Sequence, residues 1–189
     1  MRKVGVLALQ GAVSEHIKSL QRLGTEAIAI KSISDLNSVN GLIIPGGEST
    51  SISRLIQEVN LYDPIKEFAH RFPVFGTCAG MILCASSITD NAERLKPLAL
   101  MDIAVTRNGF GRQIDSFEVN LDINHVGQSI PTVFIRAPYV VSAGADVEIL
   151  AQFDNKIVMV EQGNMLACAF HPELTNNTQV LNYFLAKIK

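Results

Sequence analysis

The chain has 189 residues, 48% of them hydrophobic, and this length and composition predict one globular, soluble domain with a sizeable core. The formal net charge of −2 gives no electrostatic basis for binding nucleic acid or an anionic membrane surface. The three cysteines, Cys78, Cys84 and Cys168, show no metal-ligand spacing. We therefore expect reduced thiols in a cytoplasmic protein that uses neither a metal nor a cofactor.

In the N-terminal half, short apolar runs alternate with segments in which apolar residues recur at helical spacing. Strands are predicted over residues 4–9, 27–30, 41–44 and 74–76. Helices are predicted over residues 13–23, 52–59 and 65–72. We expect Gly24 to end the first helix and the hydroxyl groups of Ser49 and Thr50 to cap the second. Asp63-Pro64 is a start signal for the third. Strands that alternate with helices predict a parallel sheet with right-handed crossovers.

The C-terminal half shows the alternation typical of half-exposed antiparallel strands, most clearly over residues 117–123. Further strands are predicted over residues 133–135, 148–153, 156–161 and 165–170, with a turn at residues 154–155. A C-terminal helix is predicted over residues 180–188, and a polar loop over residues 89–96. Residues 1–189 are thus predicted to form a single-domain α/β fold, with a mostly parallel central sheet flanked by helices and an antiparallel extension.

The run Gly76-Thr77-Cys78-Ala79-Gly80 lies where an apolar strand meets an apolar helix. It is the cysteine form of the nucleophile elbow, a sharp turn that lifts one side chain above the sheet. The glycines fit because neighbouring side chains would crowd so tight a turn. The N-terminal end of the helix beside the sulfur favours the thiolate. The spacing predicts that Cys78 is a nucleophile, and a buried structural cysteine is the alternative.

A cysteine nucleophile needs a base, and the base needs an orienting partner. His171 follows a buried strand, and Pro172 biases it toward extended geometry. Because side chains two apart in an extended segment share a side, Glu173 can bind one ring nitrogen while the other meets Cys78. A solvated histidine and glutamate in a loop is the alternative. The remaining histidines are predicted to be surface or packing residues: His16, His70 and His125.

Acyl transfer also needs N–H donors for the tetrahedral oxyanion. The N–H of Ala79, next after the nucleophile, is one candidate. The Gly46-Gly47 turn could supply another, because it ends a strand of the same sheet and glycine allows close approach of the backbone. On its own, a Pro-Gly-Gly sequence is more often only a turn.

These residues belong to a wider set of motifs: LALQGAV, PGGEST, GTCAG, RNGFGRQ with DSFE after it, FIRAP and FHPEL. In these motifs the chain resembles the class I glutamine amidotransferases and, among them, the glutaminase subunits of pyridoxal 5′-phosphate synthase. GTCAG and His-Pro-Glu occur across the superfamily, whereas PGGEST, Phe-Gly-Arg-Gln and FIRAP are narrower. The resemblance implies a flavodoxin-like fold and hydrolysis of L-glutamine to L-glutamate and ammonia through a γ-glutamyl thioester.

The resemblance also implies roles for individual residues. Cys78 is the nucleophile, His171 the general base and acid, and Glu173 the residue that orients His171. Gly47 and Ala79 form the oxyanion-binding pair. The implied glutamine-binding residues are Gly47, Glu48, Ser49, Arg107, Ile135 and Arg136.

Arginine suits the α-carboxylate of glutamine because a guanidinium binds carboxylates in a bidentate manner. The sequence leaves open which arginine makes this contact. For Arg112 and Gln113, a loop-ordering or interface role fits at least as well as substrate contact.

In this family the glutaminase passes ammonia to a separate TIM-barrel synthase subunit, which assembles pyridoxal 5′-phosphate from a pentose phosphate and a triose phosphate. The resemblance therefore implies an obligate partner and weak activity alone, because the synthase sets the oxyanion hole. Gln10-Gly11, at the carboxyl end of the first strand, is predicted to be part of the docking surface.

Three residues depart from the family pattern: Met81 replaces a leucine, Gly109 a serine or alanine, and Tyr139 a histidine. We expect them to affect binding affinity rather than chemistry, because none belongs to the triad. Three other functions stay open: a glutaminase for another synthase, a Cys-His-Glu peptidase or esterase, and a redox sensor that uses Cys78.

Overall fold

The computed structural model describes residues 2–90, 95–110 and 115–189. In chain order, the helices are α1 (Val13–Arg22), α2 (Ile33–Leu36), α3 (Ser49–Glu58), α4 (Tyr62–Ala69), α5 (Ala79–Cys84) and α6 (Gln179–Ala186). The strands are β1 (Lys3–Leu7), β2 (Glu26–Ile30), β3 (Gly41–Ile44), β4 (Val74–Thr77), β5 (Ala85–Ile88), β6 (Met101–Thr106), β7 (Ser116–Ile123), β8 (Gly127–Ile135), β9 (Tyr139–Ala143), β10 (Glu148–Phe153), β11 (Lys156–Gln162) and β12 (Met165–Cys168). A 3-10 helix spans Pro172–Leu174. None of the described helices is long and apolar enough to cross a membrane.

The central sheet has a parallel half and a largely antiparallel half. Strands β2, β1, β3, β4 and β12 lie side by side in that order, each parallel to the next. Strands β11, β9, β6 and β5 continue the sheet, and β10 pairs with β11. Every residue of β3, β4 and β12 is buried, which explains why these strands are continuous apolar runs. The predicted α/β fold is confirmed.

Strands β7 and β8 form a separate two-stranded antiparallel sheet, here called the hairpin sheet. Aromatic rings attach it to the body of the protein. The rings of Phe117 and Phe134 stack with centroids 4.6 Å apart. Phe117 also contacts Phe153 of β10 at 5.2 Å, and Phe134 contacts Phe170 at 5.6 Å. Side-chain packing, rather than strand pairing with the central sheet, therefore attaches the hairpin sheet to the body of the protein.

The cap of α3 differs from the prediction. Glu48, rather than a hydroxyl residue, is the N-cap, and its carboxylate accepts hydrogen bonds from the N–H groups of Thr50 and Ser51. Ser49 is the first residue of the helix. A carboxylate is well suited to this place because the N-terminal end of a helix attracts negative charge.

Other differences concern element boundaries. Helix α4 has Leu61 as its N-cap, so Asp63-Pro64 lies inside its first turn, and it ends at Ala69 rather than at residue 72. Strand β8 is longer than the predicted 133–135. The sequence did not predict α2, β5, β6 or β9. Part of the predicted loop 89–96 lies outside the described residues.

Candidate active site

Cys78 lies in the sharp turn between β4 and α5. It has φ 51° and ψ −107°, a strained conformation for a residue other than glycine. A Cβ atom on Gly80 would lie 1.9 Å from the carbonyl oxygen of Ile44, and one on Gly76 would lie 2.5 Å from that of Gly80. The turn therefore needs glycine on both sides of Cys78, as the elbow pattern requires.

The sheet topology brings Cys78 and His171 together. Strand β12 lies parallel to β4 with Cys168 opposite Thr77, so the chain leaves both strands at the same edge. The N–H of Cys78 donates to the carbonyl of Cys168 at 2.8 Å. The N–H of His171 donates to the carbonyl of Val133 in β8, also at 2.8 Å. The hairpin sheet thus fixes the backbone of His171.

Glu173 lies on the side of the His171 ring away from the cavity. Its Oε1 is 2.7 Å from Nδ1 of His171, and both side chains are buried. Burial disfavours the imidazolium, but hydrogen bonds to Cys78 and Glu173 raise the pKa of His171 to about 10. Burial also opposes ionisation of Glu173, yet His16 and His171 hold the pKa of its carboxyl below the usual range. The geometry therefore favours a protonated His171 beside an ionised Glu173.

The two other cysteines, Cys84 and Cys168, are buried. Burial raises the pKa of Cys84 to about 12. Burial, with the nearby Glu173 carboxylate, also raises the pKa of Cys168 well above its usual range. Neither thiol is suited to ionise near neutral pH.

A cavity of about 490 Å³ opens above Cys78. It is large enough for an amino acid, and it collects the residues that the sequence analysis proposed for substrate binding. The lining residues are Gly47, Glu48, Ser49, Cys78, Ala79, Ile82, Arg107, Asn108, Ile135, Arg136 and His171. Ile82 and Asn108 were not predicted.

The glycine turn is held by the segment after β1. The carbonyl of Gly46 accepts a hydrogen bond from the N–H of Ala12 at 3.0 Å. Because the C=O and N–H of a trans peptide point in opposite directions, the N–H of Gly47 points away from Ala12. The N–H of Glu48 donates to Oε1 of Gln10 at 2.8 Å. Gln10 and Ala12 therefore fix the orientation of the turn.

Both predicted arginines, Arg107 and Arg136, line the cavity. Nε of Arg107 lies 3.2 Å from a carboxylate oxygen of Asp90. Arg136 is exposed and has φ 42°, a second strained backbone position beside Cys78. The carbonyl of Ile135 faces the sulfur of Cys78 at 3.8 Å. The predictions for Arg112 and Gln113 lie outside the described residues.

Gly109 and Tyr139, two of the unusual residues, contact each other. A Cβ atom on Gly109 would lie 2.2 Å from Cδ1 of Tyr139. The tyrosine ring therefore occupies the space that a side chain at position 109 would need.

His16, predicted to be a surface or packing residue, lies against the site. It is fully buried in α1, and its Nε2 lies 3.1 Å from Oγ1 of Thr77 and 3.4 Å from Oε2 of Glu173. No sequence signal links positions 16, 77 and 173, because only the folded sheet brings α1 against both.

Comparison with known proteins places these features in a family. The model of the SNO glutamine amidotransferase family matches residues 6–189. The chain is 53% identical to the pyridoxal 5′-phosphate synthase subunit PdxT of Oenococcus oeni, over 97% of this chain and 95% of that protein. It is 49% identical to PdxT of Anoxybacillus flavithermus, over 100% and 98% of the two chains.

Solved structures agree with this match. A crystal structure of a glutamine amidotransferase, 42% identical, covers 98% of both chains with a TM-score of 0.93. PurLQS from Thermotoga maritima, 16% identical, has a TM-score of 0.71 over 100% of this chain and 99% of that chain and shares the fold alone.

Proposed function

The chain belongs to the SNO glutamine amidotransferase family, and from this premise we propose that it hydrolyses L-glutamine at Cys78 and supplies the ammonia to a pyridoxal 5′-phosphate synthase subunit. The observation that carries the proposal is that Cys78 and His171 both line a cavity that fits an amino acid, while Glu173 binds Nδ1 of His171 at 2.7 Å behind the ring.

In the proposed mechanism the sulfur of Cys78 attacks the side-chain amide carbon of glutamine, and His171 holds the thiol proton. The resulting oxyanion is bound by the N–H groups of Gly47 and Ala79. The C–N bond then breaks, and His171 gives its proton to the leaving nitrogen, which departs as ammonia. Water, deprotonated by His171, attacks the thioester; the C–S bond breaks, glutamate is released and Cys78 is regenerated.

The cavity wall supports the choice of substrate. We assign the α-carboxylate of glutamine to the basic wall formed by Arg107 and Arg136, since guanidinium groups bind carboxylates strongly. Gly47, Glu48, Ser49 and Ile135 form the rest of the proposed binding surface. The carboxylate of Glu48 is engaged in capping α3, so we assign its part in binding to the shape of the turn.

The proposed partner is the TIM-barrel synthase subunit, docked in the cytoplasm over Gln10-Gly11. This docking site is supported by the contacts of Gln10 and Ala12 with the glycine turn, because a partner that pressed on the segment would also act on Gly47. Reduced thiols fit a cytoplasmic location.

Glutamate release from glutamine tests the proposal. We expect the wild-type chain to release glutamate with a cognate synthase subunit and more slowly alone, and Cys78→Ala to release none while still binding the synthase. Peptides and simple esters serve as control substrates. Turnover of these substrates without turnover of glutamine would instead favour a peptidase or esterase.

A further inference from the structure

We propose that His16 is a positioning residue for this reaction: its imidazole, through Nε2, orients the carboxylate of Glu173, which in turn orients His171. The inference rests on the roles proposed for Cys78, His171 and Glu173. It adds a fourth side chain, from α1, to a series that would otherwise end at Glu173.

The first observation is the environment of Oε2 of Glu173. Oε1 is bound to His171 at 2.7 Å, but Oε2 is buried and has no hydrogen bond of good geometry within the described part of the chain. Nε2 of His16 faces it at 3.4 Å. A carboxylate oxygen that is fully removed from water needs a donor nearby, and His16 provides the N–H that faces it.

The second observation is the environment of the His16 ring. Nε2 also lies 3.1 Å from Oγ1 of Thr77, whereas Nδ1 is buried without a partner among the described residues. We assign the proton to Nε2, because a lone pair at this position would be opposed to the carboxylate of Glu173. The single N–H is then shared between the hydroxyl of Thr77 and Oε2 of Glu173.

The charge state of His16 fits this role. The charged or ionisable groups acting on it are Glu173, His171 and Glu15. Burial outweighs the attraction of Glu173 and lowers the pKa of His16, so the ring is neutral near pH 7. A neutral N–H can hold Oε2 without cancelling the negative charge that Glu173 offers to His171. A cationic group at the same place would weaken that charge.

The contact with Thr77 gives a competing explanation, in which His16 only joins α1 to β4. Thr77 precedes Cys78, and its side chain is fully buried. The Thr77→Val variant separates the two explanations, since it removes the hydroxyl but leaves Nε2 facing Oε2. If His16 acts only as a structural joint, Thr77→Val reproduces the effects of losing His16.

The experiment compares His16→Met, His16→Gln and Thr77→Val with the wild-type chain, each assembled with the synthase subunit. We expect His16→Met to lower kcat roughly tenfold with little change in KM, as for one lost hydrogen bond to a charged group. We expect its pH–rate profile to narrow from both sides. The apparent pKa of the acidic limb rises because loss of the N–H donor raises the pKa of Glu173. The apparent pKa of the alkaline limb falls because a carboxylate that His16 no longer orients supports the imidazolium of His171 less well.

His16→Gln retains an N–H near the position of Nε2, so we expect it to recover most of kcat and the wild-type profile. Thr77→Val is expected to keep the wild-type profile even if its melting temperature falls. Leu20→Ala, which leaves a cavity beside the same helix, controls for lost stability. It should not change the apparent pKa of either limb. A wild-type profile in His16→Met, or a narrowed one in Thr77→Val, would overturn the proposal.

Alkylation of Cys78 by iodoacetamide provides a second readout that needs no glutamine. Its rate as a function of pH follows the thiolate, and we expect His16→Met to shift that dependence to higher pH. Shifted alkylation without any glutamate release from the wild type would support His16 and reject the glutaminase. Glutamate release by the wild type, together with unshifted alkylation and an unchanged pH–rate profile in His16→Met, would support the glutaminase and reject the role of His16.

Discussion

The imidazole of His171 lies between the sulfur of Cys78 and the carboxylate of Glu173. In water its pKa would be 6.5, and burial alone would lower that value. The two hydrogen-bonded partners instead raise the pKa to about 10, so the ring carries a proton across the neutral range. A protonated ring can donate to the leaving nitrogen of an amide, which is a poor leaving group without a proton.

This arrangement predicts an alkaline limit to activity. We expect kcat/KM to fall as the pH approaches 10, because His171 loses the proton that the leaving nitrogen needs. The protonated ring also stabilises the folded state. This contribution to the free energy of unfolding is complete below pH 6.5 and is lost as the pH rises through 10. In Glu173→Gln the limit should move to lower pH and kcat should fall, though less than in Cys78→Ala.

An exposed pair provides the matched control for this measurement. Nε2 of His125 lies 2.7 Å from Glu148, the same separation as in the buried pair, but outside the cavity. Glu148→Gln should leave the pH profile of glutamate release unchanged. A similar shift in both variants would mean that the limit reflects overall charge rather than His171.

At the scale of elements, the segment that carries Gly109 packs against the start of β9 through Tyr139. The tyrosine ring lies where a Cβ atom at position 109 would be, so the ring and a side chain at position 109 compete for the same space. A small residue at one position makes room for a large one at the other. The pair also lies next to Arg107 and Asn108 of the cavity wall.

A double-mutant cycle tests this coupling. Gly109→Ala should lower the free energy of unfolding by about 1–3 kcal/mol, as expected for overpacking. In the Tyr139→Ala background the same change should cost much less, giving a coupling of about 1 kcal/mol or more. Urea unfolding of the four proteins measures both values. Equal costs in the two backgrounds would show that the ring does not limit the side chain at position 109.

At the scale of the molecule, the parallel half of the fold could be predicted because its strands are buried on both faces and are punctuated by clear turns. β1, β3, β4 and β12 are of this kind. Strands β5 and β6 escaped prediction because Ser86, Ser87 and Asp102 interrupt their apolar pattern. Strand β9 is short, and its pairing with β6 is long-range.

The residues of the site also divide into those that could be predicted from the sequence and those that could not. The nucleophile and its two acid–base partners lie in short local motifs, and local geometry was enough to propose them. His16 could not be proposed from sequence, because its contact with Glu173 joins residues far apart in the chain. The carboxylate cap of α3 was missed because serine and threonine are preferred N-cap residues by type, whereas glutamate is not.

The hairpin sheet has a consequence for how the protein loses its function. Val133 of β8 binds the backbone of His171, and Ile135 and Arg136 follow on the same strand or directly after it. The parts of the site on this side therefore depend on a unit held mainly by aromatic packing, outside the ladder of the central sheet. Such units open at a lower free energy than a buried sheet.

We therefore expect inactivation and unfolding to be separate events. In increasing urea, glutamate release should be lost at a lower concentration than the far-ultraviolet signal of the central sheet. In hydrogen exchange, the amides of β7 and β8 should exchange before those of β3 and β4. Coincident midpoints and equal protection would show instead that the hairpin and the sheet form one cooperative unit. If the events separate, a preparation can remain folded by every bulk criterion and yet contain a large fraction of inactive molecules.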